Sequence, residues 1–312
     1  MDLYNLKNKN LEQIEKDSFK LEKDIQSLVE SNFETLFNLE FVSTEFIIGE
    51  FRLDSLCYDN DTNSFVIVEY KKGSSYSVID QGYSYLSVML NNKSDFILEY
   101  IEKTGKNLKK SEIDWSQSRI IFISPSFNSY QKNSVNFQDV PFELWEIKKF
   151  SNGIIGLNQH QSSSKESIQK VSSVKNTVIN SVSKEVQVYS EEDTLKNKNV
   201  SEGVSELYYL LRDKVISWDD VIINPKKNYI SFKKNRSPFV YLNFRKKYIR
   251  VHILIQWKDS KNPQPPFKLD DPKGMFSTWE NDWKEMYSYD LKDSKDLDYF
   301  LLMIKQKYDF IK

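Results

Sequence analysis

Residues Arg52 to Lys71, RLDSLCYDNDTNSFVIVEYK, decide the fold of the first half of the chain. The middle of this stretch, Asp59 to Asn63, is rich in residues that favour turns. The continuous apolar run after it, Phe65 to Val68, is typical of a strand buried on both faces. We therefore expect a β-hairpin whose second strand lies inside a sheet.

The sequence on either side of this hairpin predicts a mixed α/β sheet flanked by helices. We expect, in chain order, a helix over 21–36, strands over 41–48, 52–59 and 65–68, a helix over 78–90, a strand over 119–124, a helix over 129–136 and a strand over 142–147.

Composition limits the classes of protein and of site. One cysteine and two histidines exclude an internal disulfide and a Cys/His zinc cluster. The glycines form no GxGxxG or GxxxxGK pattern, which argues against a nucleotide cradle. There is no apolar run of about 20 residues and no signal-peptide core. We expect a cytoplasmic protein that makes no membrane contact.

A polar segment divides the chain. Residues 160–200 contain no aromatic residue before Tyr189 and can bury little apolar area. We expect a first domain over 1–158, a polar linker over 159–198 and a smaller α+β domain over 199–312. Residues 1–150 contain 17 Lys and Arg against 24 Asp and Glu, whereas residues 201–312 contain 21 against 16. This asymmetry suggests different roles for the two halves.

The register of the hairpin brings three charged residues together. If Asp59 pairs with Ser64 around the turn, Asp54 falls directly opposite Glu69, with Cβ atoms about 4.5–5.5 Å apart. Lys71 lies on the same face as Glu69. Taken singly, each residue is a solvated strand-end charge. Two close carboxylates repel each other unless a cation lies between them, so together they predict a Mg²⁺ or Mn²⁺ site suited to phosphodiester hydrolysis.

The pattern of Asp54 followed fifteen residues later by Glu69-Tyr70-Lys71 resembles the signature of the PD-(D/E)xK nuclease superfamily. Residues 22–90 look like the branch related to NucS and RecB nuclease domains. Leu53 stands where the family has a proline without a chemical role. The resemblance covers about residues 15–150. It implies a restriction-endonuclease-like αβββαβ fold and a metal-dependent DNA endonuclease with a role in repair or defence.

The resemblance also implies roles for individual residues. Asp54 and Glu69 hold the metal with help from the Tyr70 carbonyl, and Lys71 assists the attacking water. Gln81 contacts the scissile phosphate or a bound water.

Gln81 is followed by Tyr85 on the same helix face. The family-like interpretation gives Tyr85 a place beside the nucleic acid, and the alternative is a polar first turn and a half-buried tyrosine. The hairpin register sets Arg52 opposite Lys71, which makes Arg52 a candidate phosphate contact.

The helix before the hairpin supplies one more candidate. Glu22 corresponds to the family's helix carboxylate and shares a helix face with Ile25, Val29 and Phe33. Glu30 lies further round and is the second candidate. The alternative for Glu22 is a first-turn glutamate that complements the helix dipole.

The second domain is similar to a bacterial module of unknown function. Its candidate nucleic-acid contacts are Lys233, Lys234, Arg236, Arg245, Lys246 and Lys247, which alternate with aromatic residues. The alternative is an antiparallel meander over 229–232, 239–244 and 248–255, with aromatics in the core and lysines in turns. Trp279 and Trp283 have helical spacing, and 297–308 predicts a terminal helix. A homo-oligomer formed through this domain is a third use of it.

Two functions from different classes remain open at this point. The first is a Mg²⁺- or Mn²⁺-dependent deoxyribonuclease. The second is a catalytically inactive nucleic-acid-binding or interaction protein that keeps the nuclease fold. The opposed carboxylates favour the first, since a protein that only binds has no need of them.

Overall fold

The structure, a computed structural model, describes residues 2–73, 77–162, 164, 166–168, 177–235, 237–258, 265–281 and 284–311. The chain forms two compact units, Met1–Phe33 with Leu39–Val188, and Glu34–Asn38 with Tyr189–Lys312. Among the described residues, every helix is too short or too polar to cross a lipid bilayer.

The elements up to residue 185 confirm the predicted order. They are β1 (Leu3–Lys7), β2 (Asn10–Ile14), β3 (Lys16–Asp17), α1 (Glu22–Glu30), α2 (Phe33–Phe37), β4 (Glu40–Ile48), β5 (Phe51–Asp59), β6 (Ser64–Tyr70), α3 (Val78–Asn91), α4 (Lys93–Thr104), β7 (Arg119–Ser124), α5 (Ser129–Ser134), β8 (Phe142–Phe150), β9 (Ile155–His160) and α6 (Thr177–Glu185). The β1–β2 hairpin, β3, α4 and β9 were not expected from the sequence.

The first unit is built around a mixed sheet of seven strands in the order β3-β8-β7-β6-β5-β4, with β9 paired to β8. Strands β6, β7 and β8 run parallel, and β4, β5 and β6 form antiparallel neighbours. Every residue of β6 is buried, as its apolar run predicts. This αβββαβ arrangement confirms the predicted fold class.

Helix α3 lies close to the sheet because Gly82 has no side chain. A Cβ atom built at Gly82 would come within 2.5 Å of the Phe142 ring on β8. The close approach fixes the position of the first turn of α3, which carries Gln81.

The predicted helix over 21–36 is interrupted, which corrects that expectation. Helix α1 ends at Glu30 and α2 begins at Phe33. Ser31 Oγ and Asn32 Nδ2 donate to the Ser27 and Leu28 carbonyls, at 2.9 and 2.7 Å. Such side chains offer the backbone an alternative to continuing the helix.

Part of the predicted linker has a packed structure. Helix α6 places Ile179 and Val182 in the core of the first unit, and Val186 follows them there. These apolar residues recur at helical spacing within a polar sequence. The polar composition of the segment therefore did not indicate that they are buried. The contact-based boundary between the units falls after Val188.

The second unit contains α7 (Glu191–Asn197), α8 (Glu202–Val215), β10 (Val221–Pro225), β11 (Ile230–Lys234), β12 (Ser237–Arg245), β13 (Tyr248–Trp257), β14 (Ser277–Glu280), β15 (Lys284–Leu291) and α9 (Leu297–Phe310). Its strands form one antiparallel sheet in the order β10-β11-β12-β13-β15-β14. The meander over β11 to β13 and the terminal helix match the sequence prediction.

The helical spacing of Trp279 and Trp283 was misleading. Trp279 lies in β14, and Trp283 lies outside the described residues. Strand β14 pairs with β15, and Asn281 bonds to the backbone of Lys284 at the turn between them. A spacing of four in two residues cannot distinguish a helix from a hairpin.

Candidate metal and catalytic site

The hairpin register predicted from the sequence is correct from the turn up to one step before the site. Asp59 pairs with Ser64, and the ladder continues to Ser55 and Val68. It does not extend to the expected Asp54–Glu69 pair. Instead, Asp54 Oδ2 accepts a hydrogen bond of 2.9 Å from the backbone N–H of Tyr70. Where β5 and β6 separate, the carboxylate of Asp54 therefore accepts the Tyr70 N–H in place of a backbone carbonyl of the neighbouring strand.

Glu69 is the centre of the site. It is only 3% exposed, and its Oε1 accepts hydrogen bonds of 2.8 Å from both Lys71 Nζ and Gln81 Nε2. Among the residues that the structure describes, Glu69 Oε2 and Gln81 Oε1 are buried without a hydrogen-bond partner. Two unsatisfied buried oxygens at one place indicate that a further donor or a cation belongs there.

The charges of Asp54 and Glu69 act on each other. Burial and then the charge of Asp54 raise the pKa of Glu69 to about 7, although Lys71 and Gln81 act in the opposite direction. Burial, with a smaller contribution from Glu22, raises the pKa of Asp54, although the Tyr70 N–H and Lys71 lower it. A divalent cation would relieve both the repulsion and the cost of burial.

Lys71 is held at the end of β6. Its backbone N–H donates to the Ile123 carbonyl at 2.9 Å, which extends the parallel contact with β7 past the end of the strand. Its side chain is buried, and its ammonium lies beside Glu69 Oε1. The structure therefore brings Gln81 to the same place as the three residues that the hairpin register was expected to gather, Asp54, Glu69 and Lys71.

Glu22 lies at the edge of this cluster. Its Oε2 accepts a hydrogen bond of 2.6 Å from the backbone N–H of Lys72, and its charge acts on Asp54. Glu30, the second candidate, is bonded elsewhere, because its Oε1 accepts from Gln26 Nε2 and Ser55 Oγ at 2.8 and 2.7 Å. The geometry favours Glu22 of the two.

Gln26 is a site-supporting residue that the sequence analysis missed. It is 6% exposed, and its Nε2 lies 3.0 Å from the backbone carbonyl of Asp54 and 3.0 Å from Thr44 Oγ1. It ties α1 to the strand that carries Asp54. Its position on the buried face of the helix, next to Ile25 and Val29, was the available signal.

Tyr85 contacts Gln81, whereas Arg52 lies away from its expected partner Lys71. Tyr85 is buried; its hydroxyl accepts from Gln81 Nε2 at 3.0 Å and donates to the Arg52 carbonyl at 3.3 Å. Burial raises the pKa of Tyr85 to about 12. It is therefore placed to support Gln81. Arg52 pairs with Ile47 of β4 rather than with Lys71, and its exposed side chain is 3.9 Å from Glu45.

The donor set fits a hard divalent cation. In the described part of the chain, no group of three or more His, Cys, Asp and Glu side chains is arranged to hold a metal. Mg²⁺ is commonly bound by one or two carboxylates, with water and substrate phosphate completing its shell. Asp54 meets that requirement together with Glu69 Oε2, which has no hydrogen-bond partner in the described part of the chain. The contribution of the Tyr70 carbonyl stays a prediction.

The basic residues predicted in the second unit have several different environments. Lys234 Nζ donates to the Tyr308 and Ile311 carbonyls, at 3.3 and 2.5 Å, so it stabilises the end of α9. Lys233 is half-buried, and Arg236 lies outside the described residues. Residues 245–247 form an exposed basic turn between β12 and β13.

Comparison with known proteins gives one full-length relative. The model of a family described as "Domain of unknown function (DUF5655)" matches residues 191–311. An uncharacterized protein of Haemophilus influenzae Rd is 39% identical over 311 residues, which are 98% of this chain and 99% of that protein.

Two solved structures show lower similarity. An EndoMS–dsDNA complex has a TM-score of 0.27 and 18% identity, over 42% of this chain and 47% of that one. A repair endonuclease from Pyrococcus abyssi has a TM-score of 0.22 and 19% identity, over 38% and 43%. The chain thus matches less than half the length of each. At full length, the chain belongs to the family of the uncharacterized Haemophilus influenzae protein.

Proposed function

We propose that the first unit is a Mg²⁺- or Mn²⁺-dependent nuclease that hydrolyses phosphodiester bonds of DNA. One observation carries the proposal: among the residues that the structure describes, the buried carboxylate of Glu69 has one oxygen without a hydrogen-bond partner, and this carboxylate lies beside the ammonium of Lys71 and is influenced by the charge of Asp54. Burying charged side chains costs free energy of folding, so a buried cluster of this kind is typical of a functional site.

Each residue has a distinct role in this proposal. Asp54 and Glu69 would hold the cation, and Lys71 and Gln81 orient Glu69 by binding its other oxygen. A bound cation polarises a phosphoryl oxygen and lowers the pKa of a coordinated water. Lys71 orients the nucleophile and stabilises the negative charge that develops on the phosphate.

The choice of DNA as substrate rests on the resemblance of Asp54 and Glu69-Tyr70-Lys71 to the PD-(D/E)xK signature. The same resemblance supports an endonuclease with a role in repair or defence. The observed αβββαβ order around the motif supports a nuclease fold further, because Asp54 lies in β5, Glu69 and Tyr70 end β6, and Lys71 follows directly.

Cleavage of single-stranded, duplex and branched DNA with Mg²⁺ or Mn²⁺ tests the proposal. We expect the unmodified chain to cut DNA. The Asp54→Ala and Lys71→Ala variants should lose cutting while keeping the unfolding temperature of the unmodified chain. Lys106→Ala is the matched control, since Lys106 pairs with Glu40, which lies opposite Tyr58 near the turn end of the hairpin. Unchanged cutting in both site variants would refute the proposal. A chain that binds DNA without cutting any substrate would favour the inactive nuclease fold.

A further inference from the structure

Strands β4 and β5 continue as a two-stranded arm beyond the pairing of β5 with β6. That pairing ends at Ser55, whereas the pairing of β5 with β4 continues to Phe51 and Ile48. Residues 46–53 are here called the arm, which begins directly beside Asp54. The arm therefore extends past the end of β6, where the candidate metal site lies.

One side of the arm packs on the core of the first unit. Alternate residues of a strand share a side, so Leu53 and Phe51 lie together on β5, and Ile48 of β4 lies opposite Phe51. Leu53 and Ile48 are buried members of that core, whereas Phe51 is 37% exposed. Phe51 therefore lies at the rim of the core and is partly open to solvent.

Phe51 is connected to Glu69 through two side chains of α3. The rings of Phe51 and Tyr85 are in edge-to-face contact, with centroids 6.1 Å apart and planes at 83°. The Tyr85 hydroxyl accepts from Gln81 Nε2, which also donates to Glu69 Oε1. The same hydroxyl donates to the carbonyl of Arg52, which follows Phe51 in the chain. The helix that orients Glu69 thus also holds the Phe51 ring in place.

The distance between Phe51 and the candidate metal site suits contact with a nucleobase. Phe51 lies three residues before Asp54 in β5, so their Cα atoms are about 10 Å apart. The nucleotides next to a phosphate at the metal site would therefore lie within reach of the ring. An exposed aromatic ring binds nucleobases by stacking, and it does so with little dependence on which base is present.

We infer that Phe51 stacks on a nucleobase that flanks the phosphate held at the candidate metal site. The phosphate is supplied by the proposed nuclease function, on which this inference rests. A protein partner fits less well, because the other exposed large apolar residue of the arm, Ile47, lies on the opposite side of the strands. The arm thus presents one ring and no continuous apolar patch of the kind that protein partners cover.

Two fluorescein-labelled oligomers test this inference by their binding to the Lys71→Ala chain in Mg²⁺, which keeps both carboxylates and should not cut. One oligomer is (dT)15, and the other has the same sugar–phosphate backbone without bases. Adding Phe51→Ala should weaken the binding of (dT)15 at least about fivefold and leave that of the base-free oligomer unchanged, whereas Phe51→Trp should keep both affinities. Ile47→Ala is the matched control, since Ile47 is 69% exposed on the opposite side of the arm.

The outcomes separate this inference from the proposed function. Equal (dT)15 affinity with and without the Phe51 ring, or no binding of (dT)15 at all, would overturn the inference even if the unmodified chain cuts DNA. Equal weakening for both oligomers would also overturn it, because the ring would then support the arm rather than contact a base. If the unmodified chain never cuts, a loss confined to (dT)15 on Phe51→Ala would support the base contact while refuting the nuclease.

Discussion

The end of β6 and the strand pair β13–β15 of the second unit both contain charged side chains, but only the second pairs them fully. At the end of β6, Glu69 is buried, and its second oxygen has no hydrogen-bond partner among the described residues. Between β13 and β15, Arg250 is matched by Asp290 at 2.7 Å. Unsatisfied buried charge predicts a specific ligand, whereas matched or exposed charge predicts weaker, salt-dependent binding.

The largest effect that the comparison predicts comes from Glu69→Gln. This change removes one ligand and the repulsion by Asp54 while keeping the shape of the side chain. We expect Mg²⁺-dependent cutting to fall by about a thousandfold or more, with equal or higher resistance to unfolding. Glu40→Gln at the start of β4 is the control and should cut normally, because Glu40 lies opposite Tyr58 near the turn end of the hairpin. Normal cutting by the Glu69→Gln variant would mean that the buried charge of Glu69 does not mark the catalytic site.

The second largest effect concerns Gly82, whose packing against Phe142 positions the turn of α3 that carries Gln81. An alanine methyl at Gly82 would collide with the Phe142 ring. We expect Gly82→Ala to lower the free energy of unfolding by about 1–2 kcal/mol in urea titrations, since overpacking outweighs the gain in helix propensity. At Gly203 of α8, a Cβ meets nothing within 4 Å. Gly203→Ala should therefore stabilise by about 0.5–1 kcal/mol, and equal effects at both glycines would contradict the described packing.

A third prediction concerns pH. Because the pKa of Glu69 is raised to about 7, this carboxyl is largely protonated below pH 7, and a cation must displace that proton. Mg²⁺ affinity should fall about tenfold per pH unit below pH 7 and level off above it. Calorimetric titrations in two buffers of different ionisation heat will measure the released proton. The number of protons released should fall from about one at pH 6 to near zero at pH 8, and a number that does not change with pH would assign the proton to another group.

The smallest effect is expected at the exposed turn of the second unit. Lys246→Ala with Lys247→Ala should weaken (dT)15 binding about two- to tenfold at low salt and very little at high salt, because solvated charges are screened. Lys234→Ala is the control, since the ammonium of Lys234 donates hydrogen bonds to backbone carbonyls at the end of α9. We expect it to lower thermal stability and leave the salt dependence of binding intact. A salt-independent loss in the turn variant would exclude phosphate contacts there.

Much of the site could be predicted because the hairpin is a local structure. The turn at Asp59 to Asn63 and the run at Phe65 to Val68 set the register, and the register placed Asp54 near Glu69 and Lys71. The sequence could not show that the ladder ends at Ser55, because Asp54 binds the Tyr70 N–H only after the strands separate.

Residues that act across long sequence distances were harder to predict. Gln26 contacts Asp54 across 28 positions, and its polarity gave no hint of burial. Helix α6 was hidden by the polar composition around Ile179 and Val182. In both cases, packing against an element distant in the sequence buries residues whose local composition predicts exposure.

The most direct test of the central claim is where Mn²⁺ binds in crystals of the full chain. Anomalous diffraction at the manganese edge should show one ion within coordination distance of Asp54 and of Glu69 Oε2, and the peak should be absent in Glu69→Gln. A saturating soak that leaves this position empty, or an ion bound elsewhere in both chains, would contradict a cation site between the two carboxylates.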